Sequence, residues 1–202
     1  MDAARNVASF GHPDHSHADR TAASLGRRRA HASSGVEPAK SNVIPMPDLV
    51  RENVQSYPRP PALEPVPQRL IIRLGGQIIA DTTRGLRVLE THHAPSYYLP
   101  PEDISATLVP APGRSICEWK GMARYYDVGA GTVTARRAAW AYDAPTERFK
   151  PLAGHIAFYA GLMEACFVGS EAVIPQAGDF YGGWVTSNLD GIPKGAAGTE
   201  HW

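Results

Sequence analysis

The chain has 202 residues, with Lys plus Arg and Asp plus Glu balanced at 20 each and a pI near 7.1. That length allows one domain with a substantial core, while the charge balance supplies no field that would recruit nucleic acid or an anionic membrane surface, so neither is an expected partner. Only Cys117 and Cys166 occur, with 48 residues between them, which is neither a disulfide framework nor a zinc-ligand spacing; with no apolar run of membrane-spanning length and no apolar leader, the expectation is a soluble, cytoplasmic protein with no metal and no cofactor.

In chain order, residues 1–36 scatter Ala, His, Arg and Ser without a period of 2 or 3.6 and predict a disordered tail. His12, His15 and His17 in HPDHSH, and Arg27 to Arg29, read as solvated tail residues ahead of any metal or nucleic-acid role. The Ala, Arg and Ser enrichment through Ala32 resembles a transit peptide, but Asp2, Asp14 and Asp19 oppose that reading. Residues 37–68 form a proline-rich arm, with seven prolines from Pro45 to Pro67, and YPRPPALEPVP demands extended backbone. Within the arm, PDLVRENVQ predicts about two helical turns with Asp48 as the N-cap.

The body, residues 69–202, reads as β-rich. RLIIRLGGQIIADT joins two β-branched runs at Gly75-Gly76 and predicts a hairpin with a two-residue turn. LRVLE, SYYL, ISATLV, SICEWKGMARYYDV and TVTARRAAWAYD read as further strands, separated by the breakers HHAP, PPED, PAPGR and GAG. Strands this evenly spaced, without helices between them, predict a compact antiparallel sheet or barrel. In HIAFYAGLMEACF the residues Ile156, Tyr159, Leu162, Met163, Cys166 and Phe167 fit one helical face, which predicts one short helix on the sheet, although HIAFY also reads as the start of a strand. The Gly-rich tail, with Gly182, Gly183 and Trp184, is expected either to pack on the surface or to form a flap over a pocket mouth.

Several strong signatures are absent: GxxxxGK[ST], GxSxG, HExxH and CxxC. VGAGTVTA, Val128 to Ala135, supplies two glycines of a dinucleotide fingerprint. Its third position is Thr134, however, and its β-branched residues favour a strand where that motif needs a helix N-terminus, so it predicts a hairpin turn.

The segments YPRPP, GGQIIADTTRGLRVLETHHAPSYYLPPEDI, CEWKGMARYY, AAWAYDAP, GHIAFYAGLMEA and FYGGWVTSNLDGIPKGAAGTEHW together resemble the successive motifs of the family called domain of unknown function 427, from about Tyr57 to Trp202. The resemblance implies a compact, mostly β domain of the β-tent type and brings no known reaction. The family sometimes carries a nucleotidyltransferase label. That chemistry needs a Gly-Ser pair followed by a DxD or DxE metal pair, and Gly169-Ser170 is followed by neither. Glu118 stands where proline is commoner in the family, and His155 where tyrosine also occurs.

If SICEWKGMARYY is one strand, successive side chains face opposite ways, so Trp119 and Lys120 cannot share a pocket unless Gly121 marks a bulge. Trp119 is then a core aromatic or a pocket wall. Lys120 is a surface lysine paired with Glu118, an anchor for a carboxylate or phosphate, or a nucleophilic amine if burial lowers its pKa. One of Tyr97 and Tyr98, and one of Tyr125 and Tyr126, should enter the interior. Trp140 and Tyr142 share a face with Arg136, which either ends that aromatic wall or reaches solvent. Arg87 and Glu90, beside His92 and His93, offer a charged pair and a base, but adjacent strand histidines point apart and do not chelate one metal. His155 is the general-base candidate, against a structural histidine.

Two functions of different classes follow. In the first, Tyr98, Trp119, Tyr126, Trp140 and His155 line a pocket, with Glu90, Tyr142, Tyr159 and Trp184 as further ligand-binding candidates. Lys120 and Arg87 anchor a small anionic metabolite there, and Lys120 and His155 are the catalytic candidates if the protein is an enzyme. In the second, the aromatics fill a solid core and the protein is a dimerising or scaffold module. An enclosed cavity or a solid interior discriminates them.

Overall fold

The β-branched and aromatic runs of the body pair into strands, and the Gly- and Pro-containing breakers become the turns between them. The computed structural model describes residues 48–178 and 180–199. The expected disordered tail, with its histidines and arginine run, the start of the arm and Trp202 lie outside the described residues. The strands are β1 (Glu52–Asn53), β2 (Ala62–Pro65), β3 (Leu70–Leu74), β4 (Gln77–Thr82), β5 (Leu86–Leu89), β6 (Ser96–Tyr98), β7 (Thr107–Cys117), β8 (Gly121–Ala130), β9 (Val133–Tyr142), β10 (Ile156–Phe158), β11 (Ala165–Val168), β12 (Glu171–Ala172), β13 (Ile174–Pro175), β14 (Trp184–Val185) and β15 (Leu189–Asp190).

Two four-stranded antiparallel sheets, ordered β10-β9-β8-β7 and β12-β11-β3-β4, carry most of the structure, and a three-stranded sheet β2-β5-β6 flanks them. The mainly β, antiparallel class is thus the one the strand spacing predicts. Gly75-Gly76 forms the two-residue turn between β3 and β4, where Leu74 pairs with Gln77. Gly131-Thr132 likewise closes the β8–β9 hairpin, where Ala130 pairs with Val133. The proline-rich arm supplies β2, which pairs with β5. Among the described residues no helix is long and apolar enough to cross a membrane.

The sheet β10-β9-β8-β7 is covered on both faces, and that positions the site. Tyr126, Val128, Ala139 and Ala141 point into one cluster with Leu70, Ile72, Leu99, Phe158 and Trp184. Burying each large apolar side chain there contributes about 1.5–3 kcal/mol. Ala123, Tyr125, Trp140 and Tyr142 point the other way, toward Val88, Tyr98, Phe149 and Leu152. Because both faces are covered, Tyr125 and Tyr126 are both buried, and Tyr97 and Tyr98 on β6 are both buried as well, where one of each pair was expected inside.

Two local expectations are corrected. In place of the helix predicted over His155 to Phe167, the chain forms β10, a single 3-10 turn at Ala160–Leu162, and β11. Pairing of Ile156 to Phe158 with β9, and of β11 with β3, outweighs the weak helical spacing of the apolar residues. The helix predicted from Asp48 is a 3-10 turn at Val54–Ser56, and its cap is Asn53, whose side chain accepts from the Gln55 amide at 2.9 Å.

Candidate functional site

β7 ends at Cys117 and β8 begins at Gly121, its cross-strand partner, so Glu118, Trp119 and Lys120 form a three-residue hairpin turn. Gly121 closes it at φ +95, a conformation that a side-chain-bearing residue avoids. The expected single strand, with Trp119 and Lys120 on opposite faces, is therefore corrected: alternation does not continue through a turn. Both residues line one cavity of about 400 Å3. Thr146 holds the turn, its hydroxyl donating to the Trp119 carbonyl at 2.5 Å and its amide to the Lys120 carbonyl at 3.3 Å.

The Trp119 indole donates to Glu90 at 3.2 Å, and the Arg59 guanidinium lies 5.6 Å from the ring centroid. Arg59 also takes Glu118 as its ion-pair partner at 2.6 Å. Glu118 thus pairs with the arm and not with Lys120. Lys120 is itself buried, its ammonium 5.9 Å from the Tyr142 ring centroid and 5.8 Å from that of Phe149. Desolvation works against its charge, but Tyr98, Cys117 and Glu90 around it more than offset that, and its pKa stands above the ordinary lysine value. That direction favours the protonated ammonium of Lys120 over the neutral nucleophilic amine.

Tyr98, Trp140, Tyr142 and Tyr159 form the aromatic wall of the same cavity, with Glu90 beside them. The Trp140 and Tyr159 rings lie 4.5 Å apart, and Tyr98 meets Trp140 edge-on at 6.2 Å. Burial pushes the hydroxyls of Tyr98, Tyr142 and Tyr159 up, so the wall stays uncharged.

Four expected site residues lie elsewhere. Tyr126 alternates to the other face of β8, into the solid cluster. Trp184 is fully buried there, donating to the Phe158 carbonyl at 3.0 Å, its ring 5.0 Å from Tyr97. Arg87 is held by Glu52 at 2.8 Å and Glu64 at 3.1 Å in an ion-pair network and does not line the cavity. His155 does not line the cavity, and its buried Nδ1 has no hydrogen-bond partner among the described residues. Arg136 reaches solvent and pairs with Asp127 at 2.6 Å.

Other residues outside the expected ligand-binding set also line the cavity. Arg59 comes from the arm, Ser115 from β7, Tyr125 from β8, and Phe180, Tyr181, Gly182 and Lys194 from the tail. His93 brings an imidazole whose Nδ1 lies 2.9 Å from the Thr91 carbonyl. A carbonyl only accepts, so Nδ1 carries the proton and the Nε2 lone pair is left as the basic one. Burial lowers the His93 pKa, with Lys194 and Lys120 adding to that and the Thr91 bond and Glu90 opposing it. Cys117 shares the cavity, whereas Cys166 lies in the solid cluster with its thiol pushed up to about 12 by burial. The Gly182-Gly183 pair was the readable sign of the tail's approach, since a Cβ on Gly182 would overlap the Trp140 ring.

Gly169-Ser170, the Gly-Ser pair of the sequence, forms the two-residue turn between β11 and β12, where Val168 pairs with Glu171. Among the described residues no three His, Cys, Asp or Glu side chains gather as metal ligands. A family model, NTP_transf_9, described as a domain of unknown function (DUF427), matches residues 62–169. No curated protein matches the chain.

Proposed function

We propose a ligand-binding function for this chain, which belongs to the domain of unknown function 427 family. The ligand is a small planar molecule carrying one anionic group: its planar body stacks between Trp119, Trp140 and Tyr98, and its anion meets the Lys120 ammonium. The observation that carries the reading is Lys120 itself. A buried ammonium is expensive to desolvate and is ordinarily paired. This one faces an aromatic cavity with cation–π contacts, and no described carboxylate lies within ion-pairing distance of it. The nearest cavity acid, Glu90, is engaged by Trp119 and Arg59. A carboxylate entering the cavity would supply the missing counter-charge in a low-dielectric site, where it is worth most. The volume, about 400 Å3, suits a molecule of one or two rings.

Calorimetric titration with benzoate and with neutral benzyl alcohol tests the reading. Benzoate is expected to bind in preference to the alcohol, and Lys120→Met should weaken it about tenfold to a hundredfold, matching the roughly 1.5–3 kcal/mol of a charge-assisted hydrogen bond. Equal affinities of benzoate for the two proteins would remove Lys120 from the site.

A further inference from the structure

Behind the aromatic wall lies a second chamber of about 690 Å3. Ser115, Tyr125, Tyr159, Tyr181 and Gly182 line both chambers, so the two abut across a shared partition. The Ser115 and Tyr125 hydroxyls lie 2.7 Å apart. The first cavity has one buried cation in an aromatic box. The second has three arginines, Arg114, Arg136 and Arg137, and no carboxylate among its described lining residues.

The three arginines are not equivalent. Arg136 is neutralised by Asp127. Arg114 touches only the Met122 sulfur, at 3.6 Å, among the contacts described for it. Arg137 stacks its guanidinium 3.8 Å over the Tyr125 ring and spends one N–H on the Pro112 carbonyl at 3.2 Å, with no described carboxylate in pairing distance.

The backbone is bent to achieve this. Arg137 stands at φ +49, a region that non-glycine residues rarely occupy, with its amide held by Asp127 at 2.7 Å. The β8–β9 register shifts between Tyr126 and Val128, and the β7–β8 register shifts between Ala111 and Arg114. Between those last two residues, Gly113 at φ +91 leaves room for Arg137, because a Cβ there would stand 2.8 Å from its Nη1. Two bulges and a left-handed arginine converge on seating one guanidinium at the partition. Strain of this kind persists where the surrounding structure enforces it, and it concentrates at sites of function.

We propose that the second chamber is an oxyanion subsite, centred on Arg137 with Arg114 beside it, for a phosphate or sulfate group. The planar fork of a guanidinium matches two oxygens of such a group, and Tyr125 fixes the fork before the anion arrives. The subsite also extends the ligand range: in an ester whose phosphate or sulfate reaches past Tyr125 to Arg137, the planar ring and not the anion would meet the Lys120 ammonium, as a cation–π contact. This extension rests on the ligand-binding reading of the first cavity, whereas the oxyanion subsite does not.

Calorimetric titration with inorganic phosphate and with phenyl phosphate, on the full chain and three variants, tests both parts. Inorganic phosphate is expected to bind the full chain and Lys120→Met equally, and to lose about tenfold in affinity in Arg137→Gln, the share of one charge-assisted hydrogen bond. Arg114→Gln, whose backbone is not in the left-handed region, should lose affinity by a smaller factor and guards against a misfolded Arg137 variant. Phosphate that does not bind, or that binds Arg137→Gln and Arg114→Gln as well as the full chain, overturns the subsite. So does phosphate binding lost in Lys120→Met alone, which would place the anion in the first cavity. Phenyl phosphate binding more tightly than inorganic phosphate, and losing that advantage in Lys120→Met, supports the spanning ester; equal affinities overturn the span and leave a free oxyanion as the occupant. Failure of benzoate to bind while phosphate binds would sink the first reading alone.

Discussion

The two faces of the β7–β8–β9 ribbon are built from the same strands and end in opposite states. On one, Tyr126, Val128, Ala139 and Ala141 meet Leu70, Ile72 and Trp184 in a filled interior. On the other, Tyr125, Trp140 and Tyr142 stand around a cavity that contains a lysine. Alternation along a strand divides the side chains between the faces but does not decide which face is solid. The difference lies in what arrives from elsewhere. Against the filled face pack β3, β4 and β11, which supply flexible aliphatic side chains that interdigitate. Against the hollow face stand rigid rings, 3-10 segments and the tail, and rigid rings leave gaps where aliphatic chains would close them.

Breaking the filled face should have the largest consequence. Trp184→Ala removes a fully buried indole and leaves the Phe158 carbonyl without its donor, so a loss of about 3–5 kcal/mol is expected from the denaturant midpoint. Trp184 also anchors β14 to β13, so the tail segment over the cavity should loosen with it. A loss under about 1 kcal/mol would mean that the filled face is not what holds the tail. Gly182→Ala attacks the hollow face by overfilling it. The added methyl meets the Trp140 ring, so the tail must lift, at about 1–3 kcal/mol. Because the methyl enters the cavity wall, benzoate affinity should fall by more than stability does. Crystals of the variant with Trp140 unmoved and binding unchanged would show that the tail does not shape the cavity.

The contrast between the faces was only half legible in the sequence. The strands were readable, since β-branched runs bounded by glycine and proline leave little choice, and so was the turn at Gly75-Gly76. The hairpin at Glu118 to Lys120 was not, because its turn residues are a glutamate, a tryptophan and a lysine, and its one glycine follows the turn at Gly121. Read as continuous strand, that stretch sent Trp119 and Lys120 to opposite sides. Trp140 and Tyr142 were legible as a wall by alternation, whereas Arg59, Tyr181 and Lys194 reach the cavity through folding of the arm and tail, which no local pattern encodes. Tyr126 and Trp184 were drawn into the candidate site by residue type alone, and both belong to the filled face. The backbone excursion at Arg137 carries no signal in ARRAAW, since left-handed arginine is imposed by pairing with β8 and by Asp127.

The smallest expected effect is the one that separates the faces by charge. His93 is the histidine of the cavity, and its neighbours set the direction of its shift. Burial, Lys194 and Lys120 disfavour its protonated form, while the Thr91 carbonyl and Glu90 favour it, and the balance leaves its pKa below the ordinary value. The unfolded chain, with a histidine pKa of about 6.5, therefore binds more protons than the folded one between that value and the lower folded one. Stability must then fall as pH drops from about 7 through that window, and level off for this group below the folded pKa. Carboxylates such as Asp81, Asp103 and Asp127, held below their ordinary range by Arg69, Arg84 and the Arg137 amide, add a separate loss at more acidic pH. Denaturant midpoints for the full chain and for His93→Gln, followed from pH 8 to pH 5 at about half-unit steps, isolate the histidine share by difference, because the carboxylate share is common to both. The variant is expected to lose less stability on acidification than the full chain does. Parallel curves would mean that protonated His93 is accommodated in the cavity as readily as in water, and the hollow face would then lack the low-dielectric character that gives the Lys120 charge its effect.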